Sequence, residues 1–210
     1  GVYKILAVWE YDKRSVNGAN FVYFGMHLVD GTDPKARAVI EYARAVISEL
    51  QIHQGASHME IICDSSGGKH SPCLVEVGTR VHGGEATWLP VVMECIGYSV
   101  LDATLNLFLR PDRFDALPFE PKLLKHGSEL FLVSYTSGAL RDIPGIARMR
   151  PLSSFRRLEM LAQPGSEMHP TVDCFTRPGS VQLVNADKKA LLADYEKIRA
   201  LEQTGMFELV

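Results

Sequence analysis

His58 and Glu60 lie in "ASHMEIICD", and Glu76, Arg80, His82, Gly83 and Gly84 follow in "PCLVEVGTRVHGG". Period-two alternation on either side of the polar loop "SSGGKHS" predicts a β-hairpin. Its simplest antiparallel register sets Glu60 opposite Glu76 and His58 opposite Gly78. Like charges directly opposite on one face repel, so the pairing suggests a divalent cation held between the two carboxylates. Alternation puts Leu74, Glu76, Gly78 and Arg80 on that face. It puts Cys73, Val75, Val77 and Thr79, with Ser57, Met59, Ile61 and Cys63, on a core face. Gly83 and Gly84 would let backbone N–H groups approach a ligand with no Cβ in the way. Plainer roles stay open: Glu60 and Glu76 as solvated strand residues, Arg80 as an ion-pair partner of Glu76, His58 as a hydrogen-bonded strand histidine, His82 as a turn residue.

These residues need a scaffold, and the remaining pattern supplies one. Residues 2–12 alternate as a strand, Asn17-Gly18 marks a hairpin turn, and 21–29 reads as the returning strand. The stretch "TDPKARAVIEYARAVISEL" is a helix, with Thr32 or Asp33 as cap, Pro34 in its first turn and an apolar stripe including Val39, Ile40, Ala43 and Ile47. Residues 85–109 read as helical with breaks at Pro90 and Gly97, and "RPDRFDALPFEP" as a linker. From about Leu123, short apolar segments divided by Gly and Pro suggest a small β-rich module closed by a C-terminal amphipathic helix with Gly205 just past its end.

A chain of 210 residues, 46% hydrophobic, can bury a core as one or two domains. Its formal net charge of −3 offers no bulk attraction to nucleic acid or anionic membrane. Cys63, Cys73, Cys95 and Cys174 show no CxxC spacing and sit mostly among apolar neighbours, which suits reduced core thiols in a cytoplasmic protein. The chain opens without Met, inside an expected strand, and is read as a piece of a longer polypeptide.

The wording "GASHMEI…SPCLVEVGTRVHGG" resembles the last two strands of an ATP-grasp ligase, where H-x-E is followed by L-[IV]-E-x-x-x-R-x-x-G-G. It is closest to the L-amino-acid ligase branch, which joins a carboxylate to an amine at the expense of ATP. "ELFLVSYTSGALRDIPG" is more loosely similar to that branch's C-terminal module. The resemblance implies an α+β fold: an antiparallel sheet with flanking helices over residues 1–117, the C-terminal half of the catalytic domain, then a small module over 118–210. It further implies ATP and Mg²⁺ (or Mn²⁺) as cofactors, an acyl-phosphate intermediate, and small carboxylate and amine substrates, expected to be amino acids. Glu60 and Glu76 become metal ligands, Arg80, Gly83 and Gly84 catalytic groups, and His58 and His82 substrate contacts.

Phosphoryl transfer to a carboxylate gathers negative charge, which cations must offset, and attack of an amine on the acyl phosphate builds an oxyanion for Arg80 and the glycine N–H groups to meet. Gly78 departs from the E-x-N wording of many ATP-grasp enzymes, and with it a usual metal ligand is missing. The nucleotide-clamping half would lie upstream, as a partner without which this stretch is not expected to turn over; a homodimer is also open. Other readings are a different ATP-grasp chemistry, a cupin-like metal site, and a non-catalytic interaction module.

Overall fold

A computed structural model describes residues 2–210. In chain order the strands are β1 (Trp9–Val16), β2 (Ala19–Leu28), β3 (His58–Asp64), β4 (Ser71–Gly78), β5 (His126–Phe131), β6 (Gly138–Asp142), β7 (Phe155–Met160), β8 (Glu167–Met168), β9 (Gly179–Asn185) and β10 (Glu208–Leu209). The helices are α1 (Pro34–Glu49), α2 (Leu89–Ile96), α3 (Val100–Leu109), α4 (Pro111–Ala116), α5 (Gly145–Met149) and α6 (Lys188–Thr204). The expected α+β class, with antiparallel sheets and flanking helices, is what the chain adopts.

Two compact units are interleaved in the sequence. The first comprises the stretch ending at Val8, Val29–Ala86 and Ile96–Leu123. Here α1 starts where the sequence says it should: Asp33 Oδ1 accepts from the Lys35 and Ala36 N–H groups at 2.9 and 3.2 Å, and Pro34 opens the helix. The helix buries Ala36, Ile40 and Ile47 and carries the two-stranded β3–β4 sheet, to which Tyr42 is joined by its hydroxyl. Ser99 and Asp102 form a reciprocal cap at the start of α3.

The second unit comprises Trp9–Leu28, Thr87–Cys95 and Leu124–Val210. Its sheet runs β1-β2-β5-β9-β7, every neighbour antiparallel. Leu130, Val181 and Leu183 of the central strands, with Leu132 just past the end of β5, pack with Leu191, Tyr195 and Ile198 of α6, all at or below 3% exposure, so α6 closes one face of the core. Inside it, Arg199 donates to Glu202 Oε2 at 3.0 Å and to the Phe24 and Phe131 carbonyls at 3.1 and 2.8 Å, while Glu202 Oε1 accepts from Val133 N–H. A buried guanidinium placed in this way satisfies carbonyls and an acid together.

Several expectations are corrected here. The first strand begins at Trp9, and residues 2–8 are irregular. The expected linker holds α4, opened by Pro111. Residues 9–28 and 87–95 pack in the second unit, where β2 pairs with β5. Only Cys95 is buried; Cys73 and Cys174 are exposed and Cys63 intermediate, so the cysteines are not a set of core thiols. No single helix among the described residues is long and apolar enough to cross a membrane.

Candidate functional site

The hairpin register is the expected one where it matters: His58 pairs with Gly78, Met59 with Val77 and Glu60 with Glu76. Beyond Glu60 it differs. A β-bulge at Val75 makes Ile61 the partner of Leu74, Ile62 of Cys73 and Cys63 of Pro72. Leu74 therefore joins the face of Ile61 and Met59, and Cys73 moves to the face of the two acids, the reverse of what uninterrupted alternation requires. Leu74 N–H donates to Tyr42 Oη of α1 at 3.2 Å, which ties the bulged strand to the helix. Val75, expected in the core, is 55% exposed.

The acid face thus carries Glu60, half-buried, and Glu76, exposed, directly opposite one another. Arg80 lies beyond the end of β4, so strand alternation does not aim it. It reaches the same region by folding back: its Cγ and Nε lie 3.4 Å from where a Cβ on Gly78 would stand. Gly78 gives that side chain room. Arg80 Nη1 also donates to the Val81 carbonyl at 3.2 Å.

The two histidines come together. The His58 and His82 rings stack at 4.7 Å between centroids with planes 35° apart. Burial depresses the His58 pKa, helped by Arg80 and opposed by Glu60 and Glu76. Burial, then His58 and Arg80, push His82 down to about 4. Both rings are thus held neutral near pH 7, and His58 Nδ1 is buried without a hydrogen-bond partner among the described residues.

After His82 the chain turns sharply. Gly83 is exposed, and a Cβ there would meet nothing within 4 Å. Gly84, Glu85 and Ala86 are consecutive left-handed residues, with φ of 73°, 52° and 59°. Gly84 tolerates that conformation, whereas Glu85 and Ala86 carry a steric cost.

Glu60 and Glu76 fit a hard divalent cation that completes its shell with phosphate oxygens and water. They do not form an all-protein cage: no group of three or more His, Cys, Asp or Glu able to hold a metal occurs among the described residues. Nor do His58 and His82, the two histidines that meet here, join an acid in a metal-holding group of the cupin kind among the described residues.

Outside the hairpin, sequence reasoning passed over Glu129, a fully buried acid on β5 that accepts a hydrogen bond from Thr87 Oγ1. The available signal was an acid inside the apolar run "ELFLV".

No protein-family model matches the chain, and no curated protein does. Solved structures do. The chain is similar to the L-amino acid ligase from Bacillus licheniformis, at TM-score 0.73 and 20% identity over 98% of this chain and 47% of that one. It is similar to phosphoribosylglycinamide synthetase from Anaerococcus prevotii, at TM-score 0.69 and 13% identity over 96% and 48%. For N5-carboxyaminoimidazole ribonucleotide synthetase from Thermotoga maritima the TM-score is 0.53, with 14% identity over 99% and 53%. The chain therefore spans about half the length of these enzymes. Its fold is the one these enzymes share.

Proposed function

We propose that this chain is the metal- and substrate-binding part of an ATP-dependent carboxylate–amine ligase that joins amino acids through an acyl phosphate. The observation that carries the reading is Glu60 set directly opposite Glu76, with Arg80 folded back over Gly78 beside them. Glu60 and Glu76 would hold Mg²⁺ or Mn²⁺, which when bound offsets the negative charge of the triphosphate and the acceptor carboxylate. Arg80 supplies a permanent positive charge for the oxygen that becomes an oxyanion when the amine attacks. Gly83 and Gly84 bring backbone N–H groups to the same oxygen. His58 and His82, kept uncharged, line the amine side, where a second positive charge would repel an ammonium group.

ATP would bind between these residues and an upstream half of the same polypeptide, so the 210-residue chain alone would be inactive, and the assembled protein would be a cytoplasmic enzyme. A second reading, another ATP-grasp chemistry, draws on the two nucleotide-pathway synthetases that share the fold.

The test is phosphate release from ATP by the full natural polypeptide, with amino acids added singly and in pairs. Release that needs ATP, Mg²⁺ and a particular pair, and is lost in Glu76→Ala, supports the ligase. Turnover retained in Glu76→Ala rules out the metal role. Release that requires a substrate other than amino acids supports the second reading.

A further inference from the structure

The β3–β4 sheet has two strands, and a hairpin of that size depends on what it packs against. Here it packs on α1, and Tyr42 and the whole hairpin belong to the first unit. Two registers compete around the bulge. In the observed one Ile61 pairs with Leu74 and Ile62 with Cys73, and Val75 is the extra residue. In an uninterrupted one Val75 would face Ile61, Leu74 would face Ile62 and Cys73 would face Cys63. Both keep Glu60 opposite Glu76, so the acids do not choose between them.

The registers differ in what stands beside the acids. With the bulge, Val75 and Glu76 are exposed in succession, Leu74 is half-buried and Cys73 is exposed. The row next to Glu60 and Glu76, on the side away from Gly78, is therefore Ile62 and Cys73. Without the bulge Leu74 would take the place of Cys73, and a γ-branched side chain would project where the smaller thiol leaves space. A bulge re-aims side chains in this way but disrupts the ladder, so its backbone groups need other partners. Leu74 N–H has one, donating to Tyr42 Oη at 3.2 Å. The uninterrupted register turns Leu74 to the other face and breaks that bond.

We propose that Tyr42 is a positioning residue for the acid face: by accepting the Leu74 N–H it holds the bulge at Val75, and so keeps Leu74 out of the space beside Glu60 and Glu76 that the phosphate-bearing ligand of the cation enters. The inference rests on the metal role proposed above for the two acids, but the register itself can be read without turnover.

Two cysteines report the register. In the observed one Cys63 faces Pro72 and Cys73 faces Ile62, which sets two free thiols on opposite faces. In the uninterrupted one they stand directly opposed, within reach of a disulfide. The first experiment treats the 210-residue chain with diamide and follows the Cys63–Cys73 bond by peptide mapping, in wild type and in Tyr42→Phe, which keeps the ring and removes the acceptor. The bond should form at least about tenfold faster in Tyr42→Phe, with amide hydrogen exchange in α1 unchanged. Equal rates, or loss of protection throughout the chain, overturn the proposal. The second readout is turnover by the full polypeptide. Tyr42→Phe should raise KM for Mg·ATP roughly tenfold with kcat within about threefold, because crowding acts on binding. Adding Leu74→Ala should bring KM back, since the crowding side chain is gone, whereas a merely structural defect would deepen with a second truncation. A fall in kcat with KM unchanged, or no rescue by Leu74→Ala, also overturns it. If the wild-type polypeptide shows no turnover, the ligase reading fails and the cross-link alone decides whether Tyr42 holds the register.

Discussion

The Arg80 side chain folds back over Gly78, so that a Cβ at position 78 would stand 3.4 Å from its Cγ and Nε and 3.5 Å from its Cζ. The contact gives a physical meaning to a glycine at this position. A methyl group fits at van der Waals distance, but a longer side chain competes with the guanidinium for the same space. Gly78→Ala should therefore leave phosphate release by the full polypeptide within a few-fold of wild type. Gly78→Asn should displace Arg80 and lower it by roughly 100-fold, as displacements near 1 Å do. Equal activity in the two variants would show that Arg80 does not need this position.

Glu60 and Glu76 oppose one another at a register position where like charges destabilise a hairpin. Glu76→Gln should therefore stabilise the metal-free 210-residue chain by about 0.5 kcal/mol in urea unfolding. The same substitution should abolish Mg²⁺-dependent phosphate release. A variant less stable than wild type without metal would mean that the two acids are not in conflict in the fold.

Burial pushes Glu129 up to about 7, against hydrogen bonding from Thr87 and the charge of Arg177; burial does the same for Glu202, against Arg199. The folded chain thus keeps protons that the unfolded chain releases above its ordinary carboxyl value of 4.5. Their contribution to stability is complete below about 4.5 and is lost as pH rises through about 7. Glu129→Gln should flatten part of that decline, on the order of 2 kcal/mol, in urea melts across this window. A pH dependence identical to wild type would contradict the raised value.

Asp194 titrates with the opposite sign. Burial alone would raise its pKa, but hydrogen bonds from Lys197, Ser154 and Ser153 outweigh it and hold the carboxyl at about 2. Its contribution is present above the ordinary value of 3.8 and is lost as pH falls through about 2. Asp194→Asn should lower stability at pH 6 and shrink the difference from wild type below pH 3; a constant difference across this range would refute the assignment.

His82, pushed down to about 4 by burial and then by His58 and Arg80, should stay neutral throughout the physiological range. An NMR titration of its ring should show a midpoint near 4, moving upward in His58→Ala as the stacked partner is removed. A midpoint above 6 in wild type would mean that the stack is open in solution.

Much of the fold was legible because it depends on local rules. The α1 start follows from Asp33 and Pro34, the first hairpin from Asn17-Gly18, whose φ angles of 52° and 81° suit a tight turn, and the α6 end from Gly205. The opposition of Glu60 and Glu76 was legible for the same reason: a short loop between two alternating segments leaves few registers. The α+β class was an expectation of the resemblance carried by the hairpin, and the chain adopts it.

What alternation could not reveal was the bulge at Val75, because an extra residue in one strand is set by what the sheet packs against, here Tyr42 of α1. It could not aim Arg80 either, since that side chain leaves the strand and is placed by the gap over Gly78. The burial of Glu129 was equally out of reach: an acid in an apolar strand reads as solvent-facing until Thr87, 42 residues earlier in the chain, is seen to donate to it. The sequence by itself determined which residues could do chemistry and which strands carry them. Only the tertiary structure decided which of them meet, because long-range packing is free to override a period that strand geometry alone would keep.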